Sequence, residues 1–365
     1  MTGTPIRTMR LTSFDALGEE ELDAWHRLRE DNPLLDSPYF HPGFAEAVHV
    51  SGRPVEVAVG RDADGRVLAL LPCHREGSLL RPAGWPGADF QGPVLAPGTS
   101  FSPLLLLSRG VRGFAFDHLL DGHEDGDEDG DAGFGPWIES RRPSPYIDVS
   151  GGLDAYLGRA SRSGKDNMGQ ARRRAAKAER ELGPVRFAAD AVDQKALDRV
   201  VELKRAQYAA TGAPDYFAGP GRTDLVTRLL YTRSPGFSGM LSTLHAGPHL
   251  LAAHFGLRSG GVLHWWFPVY DPDFAHLAPG WMLLRELVSA APALGVGRID
   301  LGRGEDEYKR RAKTGEVMVA QGLVTRSAAR RTMRRARDSM VEAAKESPLG
   351  PGLRRIVRSV RSLLR

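Results

Sequence analysis

Two histidines can move a proton near neutral pH: His254, in Leu250-Leu-Ala-Ala-His-Phe-Gly-Leu257, and His264, in Val262-Leu-His-Trp-Trp-Phe-Pro-Val-Tyr270. Period-two alternation sets His254 on one face with Ala252 and Gly256, and Ala253, Phe255 and Leu257 on the other. A histidine among small residues suits a cleft, which makes His254 the candidate base; a buried, hydrogen-bonded structural histidine is the competing reading. A second feature is Ala278-Pro-Gly280, which leads into Trp281-Met-Leu-Leu-Arg-Glu-Leu-Val288. First-turn amides of a helix have no intrahelical partner and carry the positive end of its dipole, so Gly280, Trp281 and Met282 can seat an anion such as a pyrophosphate. In the basic run Arg159 to Arg180, Lys165, Arg172 and Arg173 either hold a phosphorylated or carboxylated substrate or form a solvated face, with Met168, Ala171 and Ala175 inward. Asp89 and Gln91 lie in the turn-rich Asp89-Phe-Gln-Gly-Pro93; either this is a tight turn alone, or the polar pair reaches substrate.

The elements that must position these residues follow from apolar spacing. Gly239 to His245, Leu250 to Leu257 and Val262 to Tyr270 are short apolar runs bounded by turn formers, the pattern of an antiparallel meander. Trp281, Leu284, Leu287, Val288 and Ala291 then fall at helical spacing, and a further strand is predicted over Arg298 to Gly302. Upstream, Ala196 to Ala210 and Arg222 to Tyr231 read as helices. Near the start, Leu22, Trp25 and Leu28 share a helical face, a second helix covers Phe40 to Val50, and Val55 to Val59 with Arg66 to Leu71 form a hairpin. The order helix, helix, strand, hairpin partner occurs in both halves. That suggests a duplicated module, without a residue-level repeat.

The order meander, Pro-Gly loop, helix, strand, together with His254-Phe, Trp266-Phe-Pro-Val-Tyr-Asp-Pro272, Ala278-Pro-Gly280, Asp300-Leu-Gly-Arg-Gly304 and Tyr308-Lys309, resembles the GNAT superfamily. Within it, the chain is similar to the branch that includes the CelD/BcsL-type cellulose-biosynthesis acetyltransferases and, more distantly, the FemAB peptidyl transferases. The resemblance spans roughly residues 20–325 and implies an α/β fold with a mixed sheet in tandem GNAT-like domains. It implies an acetyl-CoA donor, with the pantetheine between strands 262–270 and 298–302 and the pyrophosphate at Ala278, Pro279, Gly280, Trp281 and Met282. The usual Arg/Gln-x-x-Gly-x-Gly/Ala loop is reduced here to Ala278-Pro-Gly280. Tyr308-Lys309 corresponds to an aromatic-lysine pair, which implies oxyanion stabilisation by Lys309 and protonation of the leaving thiolate by Tyr308; a solvated Lys309 opening a basic run is the alternative. Lys204, Gln207 and Tyr208 match a polar helix motif of the CelD-type proteins. With Asp89, Gln91 and Trp266, Lys204 and Tyr208 form the expected substrate set. The first half lacks a Pro-Gly loop leading into a long helix, so it is expected to shape the substrate cleft without binding cofactor.

At 365 residues the chain is long for one core, and two domains are expected: 1–150, and 151–325 carrying the acyl-CoA site, followed by a tail, 326–365. A single cysteine, Cys73, makes no internal disulfide and a poor metal site, and no metal is expected. The acidic run Asp121 to Asp131 fails the EF-hand spacing and reads as a solvated insertion. The tail carries eleven Arg and one Lys against three acids, a net of +9, so the remaining residues sum to about −5 and the basic balance belongs to the tail. In the tail, Leu353, Ile356, Val357, Val360, Leu363 and Leu364 form one stripe flanked by arginines. It suits docking on an anionic membrane surface or, equally, packing against protein; nucleic acid is disfavoured without interleaved aromatics. No secretory signal or membrane-length apolar run is present, so a cytoplasmic location, with the tail peripheral at the inner membrane face, is expected. Three functions stay open: an N- or O-acetyltransferase acting on a small molecule or polysaccharide precursor, a silent scaffold in envelope-polysaccharide synthesis, and an aminoacyl or peptidyl transferase.

Overall fold

The computed structural model describes residues 4–108, 110–120, 133–304, 306–329 and 332; the acidic run and almost all of the basic tail lie outside them. The first half opens with the strand Thr8–Ser13 and two helices, Glu19–Glu30 and Pro42–Val50. The strands Glu56–Arg61, Val67–Glu76, Leu79–Pro82, Gly113–Leu120 and Ile138–Asp148 follow. The second half repeats that order with the strand Val185–Ala188, helices Gln194–Thr211 and Arg222–Tyr231, and the meander Phe237–Ala246, His249–Ser259 and Val262–Tyr270. It then adds the helix Pro279–Ala290, the strand Arg298–Asp300, the short helix Glu307–Ala312 and the strand Gly315–Val324. Among the described residues between Pro82 and Gly113, the first half holds only turns, short helical turns and two-residue strands where the second half has its long helix.

All but two short strands join one fourteen-stranded sheet, and the halves exchange strands at its centre. In each half one pair is parallel: Leu79–Pro82 with Gly113–Leu120, and Val262–Tyr270 with Arg298–Asp300. The antiparallel neighbour of Arg298–Asp300 is Ile138–Asp148, from the first half; the neighbour of Gly113–Leu120 is Gly315–Val324, from the second. These two exchanged strands also pair with each other over eight residues, Gly315 to Gly322. The largest core likewise crosses the halves, with Trp25, Phe44 and Leu70 packed in one cluster with Leu197, Leu229 and Phe267.

Local sequence explains the helices that frame the site. Asp193 caps Gln194–Thr211 by accepting the Ala196 amide at 3.1 Å, and Gly212, at φ +66°, closes it in the left-handed region. Pro279 stands in the first turn of its helix, where a missing N–H costs nothing. The basic helix Arg162–Leu182 packs on that helix through Met168, Ala171 and Ala178, while Lys165, Arg172 and Arg173 are exposed on its far side. Among the described residues no helix is long and apolar enough to cross a membrane.

Candidate active site

The strands Val262–Tyr270 and Arg298–Asp300 pair only over Val262–His264. Just past that point a cleft of about 320 Å³ is lined by Trp265, Trp266 and Pro268 and by Leu301 beyond the second strand. A bulge helps to open it. Leu257 pairs with His264 and Phe255 with Phe267, so Trp265 and Trp266 share Gly256 opposite them, and the ladder is interrupted there. Gly256 is required, because a Cβ at that position would collide with the His264 carbonyl.

Polar groups reach the cleft from three directions. Lys204 and Gln207 project from the helix Gln194–Thr211, Tyr308 and Lys309 from the helix Glu307–Ala312, and Asp89 from a first-half turn. Lys309 is 8% exposed; its ammonium donates to the Gly302 carbonyl at 3.2 Å and the Arg303 carbonyl at 3.0 Å and faces Asp306 at 3.6 Å. Burial pushes the Lys204 ammonium down to about 8, and the nearby charge of Lys309 adds to the shift against a smaller opposing pull from Asp306. Lys204 donates to the Pro268 carbonyl at 3.4 Å and stands over the Tyr208 ring. Burial, with Asp306 and Asp89 adding to it, raises the Tyr308 phenol well above the ordinary range and keeps it protonated.

Asp89 is the centre of a network that spans both halves. Its Oδ2 lies 2.9 Å from His264 Nε2 and its Oδ1 3.4 Å from His118 Nε2; His118 Nδ1 in turn lies 2.7 Å from Asp117. Gln91 fixes the turn, donating to the Ala88 carbonyl and to Asp117 and accepting the Asp117 and His118 amides. Burial alone would raise the Asp89 carboxyl, but the His264 hydrogen bond and the charges of His118, His264 and Lys309 outweigh it and hold the group well below the usual carboxylate range. Gly302, at φ +73°, permits the approach: a Cβ there would strike the Asp89 carboxylate.

Of the residues expected from sequence, Lys204, Trp266, Tyr308, Lys309 and Asp89 converge on this cleft, and others do not. His254 is fully buried in the sheet, its ring stacked on Trp265 with centroids 4.0 Å apart. Its Nε2 is 3.4 Å from the His264 carbonyl, and burial pushes the ring down to about 3, so it is a neutral packing group rather than the expected base. His264, its competitor, is also fully buried and committed to Asp89. Gln91 is a buried scaffold for the Asp89 turn and Tyr208 lies under Lys204, so neither lines the cleft. Gly280, Trp281 and Met282 stand apart from the cleft wall at the start of their helix, where Ala278 adopts a left-handed φ of +46° and the Trp281 amide donates to its carbonyl at 3.1 Å. A Cβ on Gly280 would meet open space. Sequence reasoning missed Trp265, Pro268, Leu301 and Asp306, whose approach depends on the bulge and on where strand pairing ends.

The fold is a tandem GNAT-like fold, and residues 165–310 match the family described as Acetyltransferase (GNAT) domain. Solved structures agree in architecture at low identity. The C-terminal domain of a putative lysylphosphatidylglycerol synthetase from Agrobacterium fabrum superposes with a TM-score of 0.53 at 12% identity, covering 87% of this chain and 96% of that one. FemX gives 0.53 at 11% identity over 86% and 96%. The Saccharomyces cerevisiae N-myristoyltransferase, solved with myristoyl-CoA, gives 0.50 at 9% identity over 87% and 80%. No curated protein matches the chain in sequence.

Proposed function

We propose that this protein is an acyl-CoA-dependent N- or O-acyltransferase that moves an acetyl or related acyl group to an amine or hydroxyl of a small-molecule or polysaccharide-precursor acceptor. The observation that carries the reading is the cleft at the end of the Val262–His264 pairing, where apolar walls meet Tyr308 and Lys309. Trp265, Pro268 and Leu301 suit a pantetheine arm, and the reacting carbonyl would lie where Lys309 meets developing negative charge and the protonated Tyr308 meets the leaving sulfur. The pyrophosphate would sit at the start of that helix, on the amides of Gly280 and Met282 and beside Trp281 and the left-handed Ala278.

Two variants test this. Gly280→Val has room to fold, so it is expected to abolish CoA binding by calorimetry while leaving the melting temperature nearly unchanged; undiminished affinity overturns the pyrophosphate assignment. Lys309→Ala is expected to lower acyl transfer about 100-fold or more at unchanged CoA affinity, in the range of a lost oxyanion donor. A thermal-shift screen with CoA, acetyl-CoA and longer acyl-CoAs reads the donor, since a ligand that binds only the native state raises its melting temperature.

A further inference from the structure

An acyl transfer to an amine or hydroxyl needs a group that accepts the nucleophile's proton, and His254 and His264 are both sealed in the sheet. The remaining candidates at the cleft are few. Asp89 spends one oxygen on His264 and the other faces His118, Asp306 is exposed and faces Lys309, and Tyr308 is held protonated. Lys309 spends two of its three donors on the Gly302 and Arg303 carbonyls and faces Asp306 at 3.6 Å, so it is already engaged. Lys204 differs. Its amine nitrogen lies 5.6 Å from the Tyr208 ring centroid and lines the cleft beside Pro268, two residues along the strand from Trp266; among the described residues the Pro268 carbonyl, at 3.4 Å, is its only hydrogen-bond partner.

Resting on the acyl-transfer reading, we propose that Lys204 is the general base of the reaction, taking the proton from the acceptor's attacking nitrogen or oxygen. The acceptor lone pair attacks the thioester carbonyl carbon and the carbonyl pair moves onto oxygen, opposite Lys309. The neutral Lys204 amine takes the nucleophile's proton and becomes an ammonium. On collapse the C–S bond breaks, the departing sulfur takes its proton from Tyr308, and Lys204 returns its proton to Tyr308 through solvent. The groups facing Lys204 tune it for this: the Lys309 ammonium favours the neutral amine, Asp306 opposes it more weakly, and Tyr208 and Tyr308 stay uncharged nearby. Asp89, the fixed carboxylate of the cleft, is engaged by its histidines.

The test has a readout that needs no acceptor. The full chain is labelled with trace acetic anhydride from pH 6 to 11 and each lysine is read by mass spectrometry. Lys204 is expected to titrate with a midpoint near 8, against roughly 10.4 for a free ε-amine, and Lys309→Met is expected to move that midpoint upward. Turnover with acetyl-CoA and an amine panel is expected to rise through the same midpoint. Lys204→Arg keeps the cation but cannot release a proton, so it is expected to lose about 100-fold or more at every pH with unchanged CoA affinity. A labelling midpoint near that of a free amine, or turnover retained within a few-fold in Lys204→Arg, overturns the assignment while leaving the acyl-transfer reading intact. Failure of the wild-type chain to bind any acyl-CoA overturns that reading and the base with it.

Discussion

At the residue scale, Asp89 and Lys204 affect stability in opposite senses, and both signs can be measured. His264 is fully buried and its Nδ1 has no partner among the described residues, so Asp89 supplies the ring's hydrogen bond. Asp89→Ala strands a buried imidazole and is expected to cost about 1–3 kcal/mol in urea unfolding, with Asp89→Asn, which can still accept, costing less. The folded carboxyl lies below its unfolded value, so its contribution is present above roughly pH 3.9 and lost as pH falls through the folded value. Lys204 is the reverse case of a depressed lysine. The unfolded chain binds more protons than the folded one between about 8 and roughly 10.4, so its penalty is full below that window and disappears as pH rises through it. Lys204→Met is therefore expected to stabilise the protein at pH 7 by roughly 1–3 kcal/mol and to have no such effect at pH 11. A melting temperature unchanged at both pH values would contradict the depressed amine.

At the scale of elements, the site depends on two glycines, Gly256 at the bulge and Gly302 against the Asp89 turn. Gly302→Ala forces a side chain onto a left-handed residue and into the Asp89 carboxylate, so it is expected to lose about 2 kcal/mol or more in stability. If the protein keeps its native melting temperature, the Asp89 turn is not held against that strand end. The elements themselves were legible. Apolar alternation located the three meander strands, helical spacing located Pro279–Ala290, and the Tyr308-Lys309 pair was flagged where the cleft now holds it. The base was not legible, for a physical reason. Alternation assigns His254 a face but cannot say that Trp265, displaced by the bulge, will cover it with a stacked ring. Nor does spacing along a helix show that Lys204 will face Lys309, because that proximity is created by the strand splay and not by the chain between them.

At the scale of the molecule, the two halves are joined by exchanged strands rather than by a docked interface. Cutting the chain after residue 150 would leave the parallel pair of each half without its antiparallel neighbour. Arg298–Asp300 would lose Ile138–Asp148, and Gly113–Leu120 would lose Gly315–Val324. Each break exposes a row of ladder N–H and C=O groups at the sheet centre, and such edges pair non-specifically. The cut also divides the core in which Trp25 and Phe44 share a cluster with Leu197 and Phe267, and it removes the Asp36 carboxylate that Arg298 grips with two nitrogens at 2.7 Å each. Fragments 1–150 and 151–365 made separately are therefore expected to be insoluble or to lack a cooperative melt. Co-expressed, they are expected to co-purify as one particle that melts in a single transition and binds acyl-CoA. The binding arm reports on the cleft itself, since Asp89 comes from the first fragment and Lys204, Trp266 and Lys309 from the second. A soluble 151–365 fragment with a sharp melt of its own and full CoA affinity would mean that the exchange is dispensable and that the second half is an independent domain.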